Sequence, residues 1–403
     1  MSIDRDFYKV WVKIGLLSFG GPAGQIALMR DQIVMQRNSV SEENFQRGLD
    51  IAMLLPGPEA QQLATYLGWR MHGLAGGIIA GLSFILPGAV LMTILAAIAI
   101  SNGETQWVSA IFYGIQAAVL VIVAKAVFGL MKKAATGPLA WALALAAFAA
   151  LTFTEASFPL VILAAGVAGF LLFPRGEGEE ARVGSWRNSV VTLAIGLLLI
   201  AAGVGLTFLT LPAVYAEVAT LFTSAAFVSF GGAYALLPYV AEHAVETHGW
   251  LSAADMLNGL ALGEATPGPL ILVNLYAGFH AGFGESGVSG GVLAAALTCL
   301  FTFLPSFTLM LSIAPHVDSI GRVPWARAAL AGVSAAVVGV IAHLAVYLGQ
   351  AALFPTGFDA PEWPKIALLA ALALWAALRP VPITWLVGAG ALSGLLLTFA
   401  GIA

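Results

Sequence analysis

The chain has 403 residues, of which 60% are hydrophobic and only 9% charged, and 17 Lys and Arg against 21 Asp and Glu leave a net charge of -4. A soluble protein carries roughly a quarter charged residues, so this chain cannot cover a water-facing surface, and it has no basic stripe for phosphate backbones. A soluble enzyme, a disordered protein and a nucleic-acid binder are excluded, and what remains is one polytopic membrane protein.

The opening stretch MSIDRDFYKVWVKIG lacks the apolar core and small-residue cleavage site of a signal peptide, so no cleaved leader is expected. An apolar stretch at 10–19 runs into Gly20-Gly21-Pro22, and one at 51–55 runs into Pro56-Gly57-Pro58 before 61–69 resumes. A bilayer core takes about 20 apolar residues as helix, and spans are predicted at 78–100, 107–131, 139–153 and 158–173. The polar segment PRGEGEEARVGSWR (174–187) follows, its Glu177, Glu179 and Glu180 reading as solvated, and then a span at 189–211. Next, 225–230 breaks at Gly231-Gly232 and 257–266 breaks at Pro267-Gly268-Pro269. Spans at 288–314, 323–350, 366–378 and 383–402 complete the chain, whose single cysteine, Cys299, excludes an intrachain disulfide and a cysteine-rich metal site. Proline removes a donor and glycine offers no conformational resistance. Backbone freed at membrane depth survives only inside protein or beside water, so the four breaks read as the working parts.

The chain repeats itself. Ser18-Phe19-Gly20-Gly21 recurs as Ser229-Phe230-Gly231-Gly232, and Pro56-Gly57-Pro58 as Pro267-Gly268-Pro269, both 211 residues on. Gly76-Gly77 matches Gly290-Gly291, Pro87 matches Pro305, and Lys125 matches His343 at slightly larger offsets. The organisation predicted is a first repeat at 1–173, a cytoplasmic linker at 174–188, and a connecting helix plus second repeat at 189–403. Arg30, Arg37, Arg47 and Arg70 lie around the first repeat's breaks, whereas 188–321 holds no Lys or Arg. The positive-inside rule then puts the first set of breaks at the cytoplasmic face and the second at the outer face. The span at 189–211 is the odd helix that inverts the second repeat. The fold class is therefore an all-α membrane protein of two inverted-topology repeats with re-entrant or broken helices, the architecture of secondary transporters. The spacings Gly73/Gly77 and Gly287/Gly291 read as helix-packing faces.

A helix starting after a break presents unpaired N–H groups and about half a positive charge. Pro58 and Pro269 fit its first turn, where the missing N–H is free of cost. Converging ends of this kind make an anion site without formal cations, at Gly20, Gly21, Gly24, Gly57, Gly231, Gly232 and Gly268. Ser18, Gln25, Gln61, Gln62, Ser229 and Asn274 add neutral polar groups suited to a tetrahedral oxyanion. The carbonyl ends of the leading half-helices would alternatively hold a cation. Glu59 and Glu264 flank the two Pro-Gly-Pro turns; an anionic carboxylate near hydrocarbon is costly, so either is a candidate to take up a proton. Glu59 is also explained as a first-turn carboxylate. Lys125 and His343 are further candidates, against snorkelling for the lysine and a structural role for the histidine. Arg70 is a candidate mouth cation or a plain topology anchor. No G-x-S-x-G or H-E-x-x-H pattern points to an enzyme, and no cofactor or metal is called for.

SFGGPAGQIALMRDQIV (18–34), AMLLPGPEAQQLATYLGWRMHG (52–73), FVSFGGAYALLPYV and ALGEATPGP together resemble the chromate ion transporter family in its two-domain form. The resemblance covers nearly the whole chain. It implies a multi-pass carrier of the bacterial inner membrane that expels chromate at the expense of the proton motive force, with sulfate as competitor. It also implies roles for Gly20, Gly21, Gly24, Gln25, Pro56, Gly57, Pro58, Glu59 and Gln61 and their second-half matches, although Leu270 stands where Glu59 does. Uptake of sulfate, exchange, or a channel are the alternative readings, and a homo-oligomer is left open.

Overall fold

The computed structural model describes residues 3–19, 21–103, 105–134, 137–174, 186–230, 233–317 and 324–402. Among these, every regular element is helical. The first repeat holds α1 (Arg5–Leu17), α2 (Gly21–Met29) continued by a π turn (Arg30–Met35), α3 (Glu42–Leu54), α4 (Glu59–Ser101), α5 (Gln106–Ala134), α6 (Pro138–Phe153) and α7 (Phe158–Leu172). After α8 (Arg187–Thr210) the series recurs. It comprises α9 (Ala213–Val228), α10 (Ala233–Ala241) with a π turn (Glu242–Thr247), α11 (Ala253–Ala265), a 3-10 turn (Leu270–Leu272) into α12 (Val273–Ile313), α13 (Pro324–Leu353), α14 (Trp363–Leu378) and α15 (Ile383–Phe399). Most of the polar segment expected as a linker, 175–185, lies outside the described residues, and the helix after it begins at Arg187.

The breaks make hairpins. Helices α1, α3 and α11 have 13 residues each, about 20 Å at 1.5 Å per residue, too short for a hydrocarbon core of about 30 Å. Their outer ends are capped by Asp4, Ser41 and Ser252, whose side chains accept from Phe7, Asn44 and Asp255 amides. Gly48 of α3 lies against the ring of Tyr66, and Gly259 of α11 against that of Tyr276. The arms on either side of each Pro-Gly-Pro therefore run back along each other. Lys13 Nζ donates to Gln32 Oε1 at 3.2 Å, tying α1 to the arm beyond Gly20-Gly21. These are re-entrant hairpins, with the breaks at their tips. Pro58 and Pro269 stand at the N-caps, one place earlier than the first-turn position expected from sequence.

Helices α4 and α12 each reverse once more. His72 (φ -139°, ψ 26°) and Gly73 (φ 63°, ψ -153°) leave the helical region, as do Ser286 and Gly287 (φ 63°, ψ -146°). A positive φ of this kind is open to glycine at little cost. Beyond the turn the arms pack so closely that a β carbon on Gly68 would lie 2.4 Å from the Gly76 carbonyl, and one on Gly282 would lie 2.2 Å from that of Gly290. The Gly73/Gly77 and Gly287/Gly291 spacings thus serve a reversal inside one hairpin, with the first glycine of each pair as the turn residue.

The outgoing arms, 74–101 and 288–313, rise about 40 Å and cross fully. They are antiparallel, since Gly77 meets Leu311 and Gly81 meets Phe307. Helix α1 starts beside the first reversal, with the rings of Phe7 and His72 4.7 Å apart. Helix α9 starts beside the second, with Tyr215 Oη 3.4 Å from Ser286 Oγ. The two sets of hairpins therefore enter from opposite faces, and α8 is the unmatched helix between them.

The last three helices of each repeat are exchanged. Helix α5 packs on α13, α14 and α15, and α13 packs on α5, α6 and α7. Gly114 sits against Gly390 and Gly394, and Gly169 against Gly332, the small-residue approach that membrane helices use in place of hydrophobic drive.

The two repeats are not in the same conformation. Helices α10 and α11 pack onto this exchanged scaffold, and one continuous core joins them to it. Ala235, Leu236, Leu237 and Val240 are fully buried there. The first repeat's hairpins instead share a core of their own with the end of α12 and the turn after it, without scaffold residues. Helix α2 has no packing on α5 comparable to that of α10 on α13, and Ala23, Gly24 and Ala27 are exposed.

Candidate functional site

The four hairpin tips meet across the repeats. The amide of Gly57 donates to the carbonyl of Ser229 at 2.7 Å, and that of Gly268 donates to the carbonyl of Ser18 at 2.9 Å. These are the same bond made twice, each Pro-Gly-Pro turn holding the other repeat's Ser-Phe-Gly-Gly break. Gly57 (φ 125°) and Gly268 (φ 96°) lie in the region that favours glycine. Both amides, expected from sequence as open anion donors, are thereby occupied. Among the described residues, the first-turn amides of α4 and of the helix after Pro269 are further donors at this depth. Gly20, Gly231 and Gly232 lie outside the described residues. Gly21 (φ 70°) starts α2 and Gly24 is exposed on it.

Side chains lace the same junction. Gln25, 1% exposed, donates from Nε2 to the Gly268 carbonyl at 2.6 Å. Gln62 Nε2 donates to the Pro56 carbonyl at 2.8 Å. Gln61 donates to Thr65 Oγ1 at 2.8 Å and accepts from Ser306 Oγ at 2.5 Å, so the outgoing arm of α12 is pinned to the first repeat's tip. Ser18 Oγ donates to the Ile14 carbonyl. Among the described residues, Gln25 Oε1, Gln62 Oε1, Ser229 Oγ and both polar atoms of fully buried Asn274 have no hydrogen-bond partner. Such groups cost about 1–3 kcal/mol each when left unmade, so a hydrogen-bonding solute or water that reaches them is stabilised. Replacing Gln25 by Leu strands the Gly268 carbonyl; the expected loss of about 1–3 kcal/mol is read as a lowered unfolding midpoint in detergent.

Of the ionisable candidates, Glu264 and Glu59 belong to the hairpin tips, and Lys125, Arg70 and His343 lie on other stretches of their helices. Glu264, 7% exposed, ends α11 and accepts a short hydrogen bond from the Tyr234 hydroxyl on α10. Tyr234 was not among the sequence candidates, because its match in the first repeat is Ala23 and only the fold brings it to Glu264. Ser306 was missed for a related reason: its signal was the repeated Leu-Pro dipeptide before it, and its match is Gly88. Glu59 is the half-buried first residue of α4, where a helix favours a carboxylate. Lys125 is exposed on α5, and Arg70 is exposed near the reversal of α4. His343 is on α13, its Nδ1 3.1 Å from Thr152 Oγ1.

The two faces differ in charge. Arg30 pairs with Glu42 through both carboxylate oxygens at 2.9 Å, and Arg47 pairs with Glu43 at 2.6 Å, with Arg37 after α2 and Arg70 beside the reversal of α4. Hydrogen bonds from Gln46 and Arg30 hold the exposed Glu42 carboxyl below the usual carboxylate range. The opposite face carries Glu217 beside His248 at 3.4 Å, with Glu242, Glu246, Asp255 and Glu285.

Compared with known proteins, the chain matches the family model described as chromate transporter over residues 5–170 and 216–395. The gap between the matched stretches holds α8. A probable chromate transport protein of Synechococcus elongatus is 30% identical over 395 residues, 97% of this chain and 95% of that protein. A chromate transport protein of Pseudomonas aeruginosa is 31% identical over 358 residues, 87% of this chain and 82% of the relative. One from Cupriavidus metallidurans is 28% identical over 348 residues, 86% and 82% of the two chains. No solved structure matches the chain.

Proposed function

The chain belongs to the chromate transporter family and is a multi-pass membrane transport protein, not an enzyme, and from that premise we propose that it exports chromate from the cytoplasm by alternating access coupled to protons. The observation that carries the reading is the conformational difference between two matched repeats around one junction. If the second repeat is packed on the scaffold and the first is not, the junction is reached from the first repeat's face. Exchanging the two conformations opens the other face, which is how inverted repeats give two states of similar energy.

Charge supports the direction. The arginine-bearing face is the cytoplasmic one by the positive-inside rule, and it draws a dianion towards the junction. The acidic face disfavours its return. The location that goes with this reading is the inner membrane of a bacterium. Asn274, Ser229 and the first-turn amides supply donors for a tetrahedral oxyanion, and sulfate, of the same shape and charge, competes. With Cys299 replaced by Ala, a cysteine at Ser41 should react with an impermeant maleimide only from the cytoplasm, and one at Thr247 only from outside. Labelling of both from one side would refute the inverted orientation.

The deciding experiment is chromate accumulation in everted vesicles with the voltage clamped to zero by potassium and valinomycin. Under that clamp a carrier coupled to protons accumulates chromate only while the lumen is acid, and sulfate slows it. A channel or uniporter would be indifferent to the pH gradient, because the dianion feels only voltage and its own concentration.

A further inference from the structure

On the second repeat's face lies a cavity of about 370 Å3 that the substrate reading does not use. Pro238 on α10, Glu242 and Glu246 on its π turn, His343 and Tyr347 on α13, and Glu155 before α7 are among its walls. Three of these are carboxylates and none is a lysine or arginine, so the pocket repels an oxyanion and concentrates cations, the hydrated proton included. Its wall on α10 belongs to the same helix that carries Tyr234. Pro238 is one helical turn from Tyr234, the residue whose hydroxyl donates to Glu264. Proline has no N–H, so the Tyr234 carbonyl lacks its helical donor. A carbonyl freed at this depth calls for another partner, and a polar cavity of this size has room for water.

We propose that this cavity is the proton inlet of the transporter, passing protons from the outer face through water at the freed Tyr234 carbonyl to the Tyr234–Glu264 pair. The step moves one proton from cavity water onto the Glu264 carboxylate and breaks no bond between heavy atoms; the same proton leaves when the site faces the cytoplasm. The ionisable groups lining the inlet are Glu155, Glu242, Glu246, His343 and Tyr347, with the rings of Tyr239 and His243 4.2 Å apart on the neighbouring turn. Asp255 stands on α11 itself, and the helices packed around it carry, among others, Glu59 and Arg70 on α4, Lys125 on α5 and Tyr276 and His280 on α12. Lys365 is bound to Gln116 Oε1 at 3.0 Å and stacked over Tyr113, on the far side of Asn258. The inference rests on the reading of a proton-coupled carrier, and the test separates the two.

Leu344 also lines the cavity. In the Cys299→Ala protein, Leu344→Cys is treated from outside with cationic ethylammonium and anionic ethylsulfonate methanethiosulfonates. The cation should react at least about tenfold faster, and Glu242→Gln with Glu246→Gln should erase the preference. In proteoliposomes with an entrapped pH dye, chromate-driven proton movement should fall about tenfold in that double variant, and in Glu155→Gln if the double variant does not fold. No reaction, equal reaction with both reagents, or proton movement unchanged in the variants overturns the inlet. Chromate transport by the unmodified protein without proton movement overturns the coupling itself, a result that the dye reads separately.

Discussion

A bis-maleimide bridge between Pro238→Cys and Leu344→Cys forms readily in the resting protein and stops transport. Both residues border one cavity between α10 and α13, so a bridge there locks the second repeat onto the scaffold. The matched pair in the first repeat is Ala27→Cys with Ala126→Cys, on α2 and α5, which do not pack on each other in this conformation as α10 packs on α13. That pair should bridge only under an outward-directed chromate gradient, and its bridge should also stop transport. Each lock is expected to lower flux at least about a hundredfold, since a state held out of reach of the other contributes nothing to a cycle. Both proteins, with Cys299 replaced by Ala, are assayed for chromate flux before and after bridging and again with a single cysteine of each pair. Efficient bridging of both pairs without loss of flux would mean that the repeats do not exchange conformations.

Replacing Glu264 by Gln removes proton-driven accumulation while leaving the protein folded. The amide keeps an oxygen to accept from Tyr234, and it carries no titrating proton, so the packing of α11 is preserved and only the charge cycle is lost. With the voltage clamped, one unit of pH gradient supports about a tenfold chromate ratio per coupled proton. The unmodified protein should reach that ratio, and the variant should reach none while still exchanging chromate for sulfate down their gradients. Accumulation by Glu264→Gln at the full ratio would move the coupling to another group, with Glu59 next in line.

The hairpins were legible because glycine and proline punctuate an otherwise apolar text at a fixed spacing. Ser18 and Pro56 recur together 211 residues on, and the structure joins those motifs by reciprocal backbone bonds. The reversals at Gly73 and Gly287 were not legible as turns. No proline marks them, and a glycine four residues before another reads as a packing face. The fates of Lys125 and His343 follow from a second blind spot. Matching positions show equivalence between repeats, yet not which module a helix joins, and α5 and α13 belong to the scaffold. Glu264 was visible as a carboxylate in an apolar setting, whereas its partner Tyr234 comes from another hairpin and has no counterpart in the first repeat. The exchange of the closing helices left no trace in periodicity, because those helices are apolar on every side.

That exchange bears on how the protein is made. Helix α5 is inserted early, but the helices that cover it, α14 and α15, are made only after α6 to α13. Helix α5 therefore waits in the bilayer with an uncovered glycine seam at Gly114 until α15 arrives. A stop codon anywhere before Trp363 would strip cover from the beginning of the molecule as well as shorten its end.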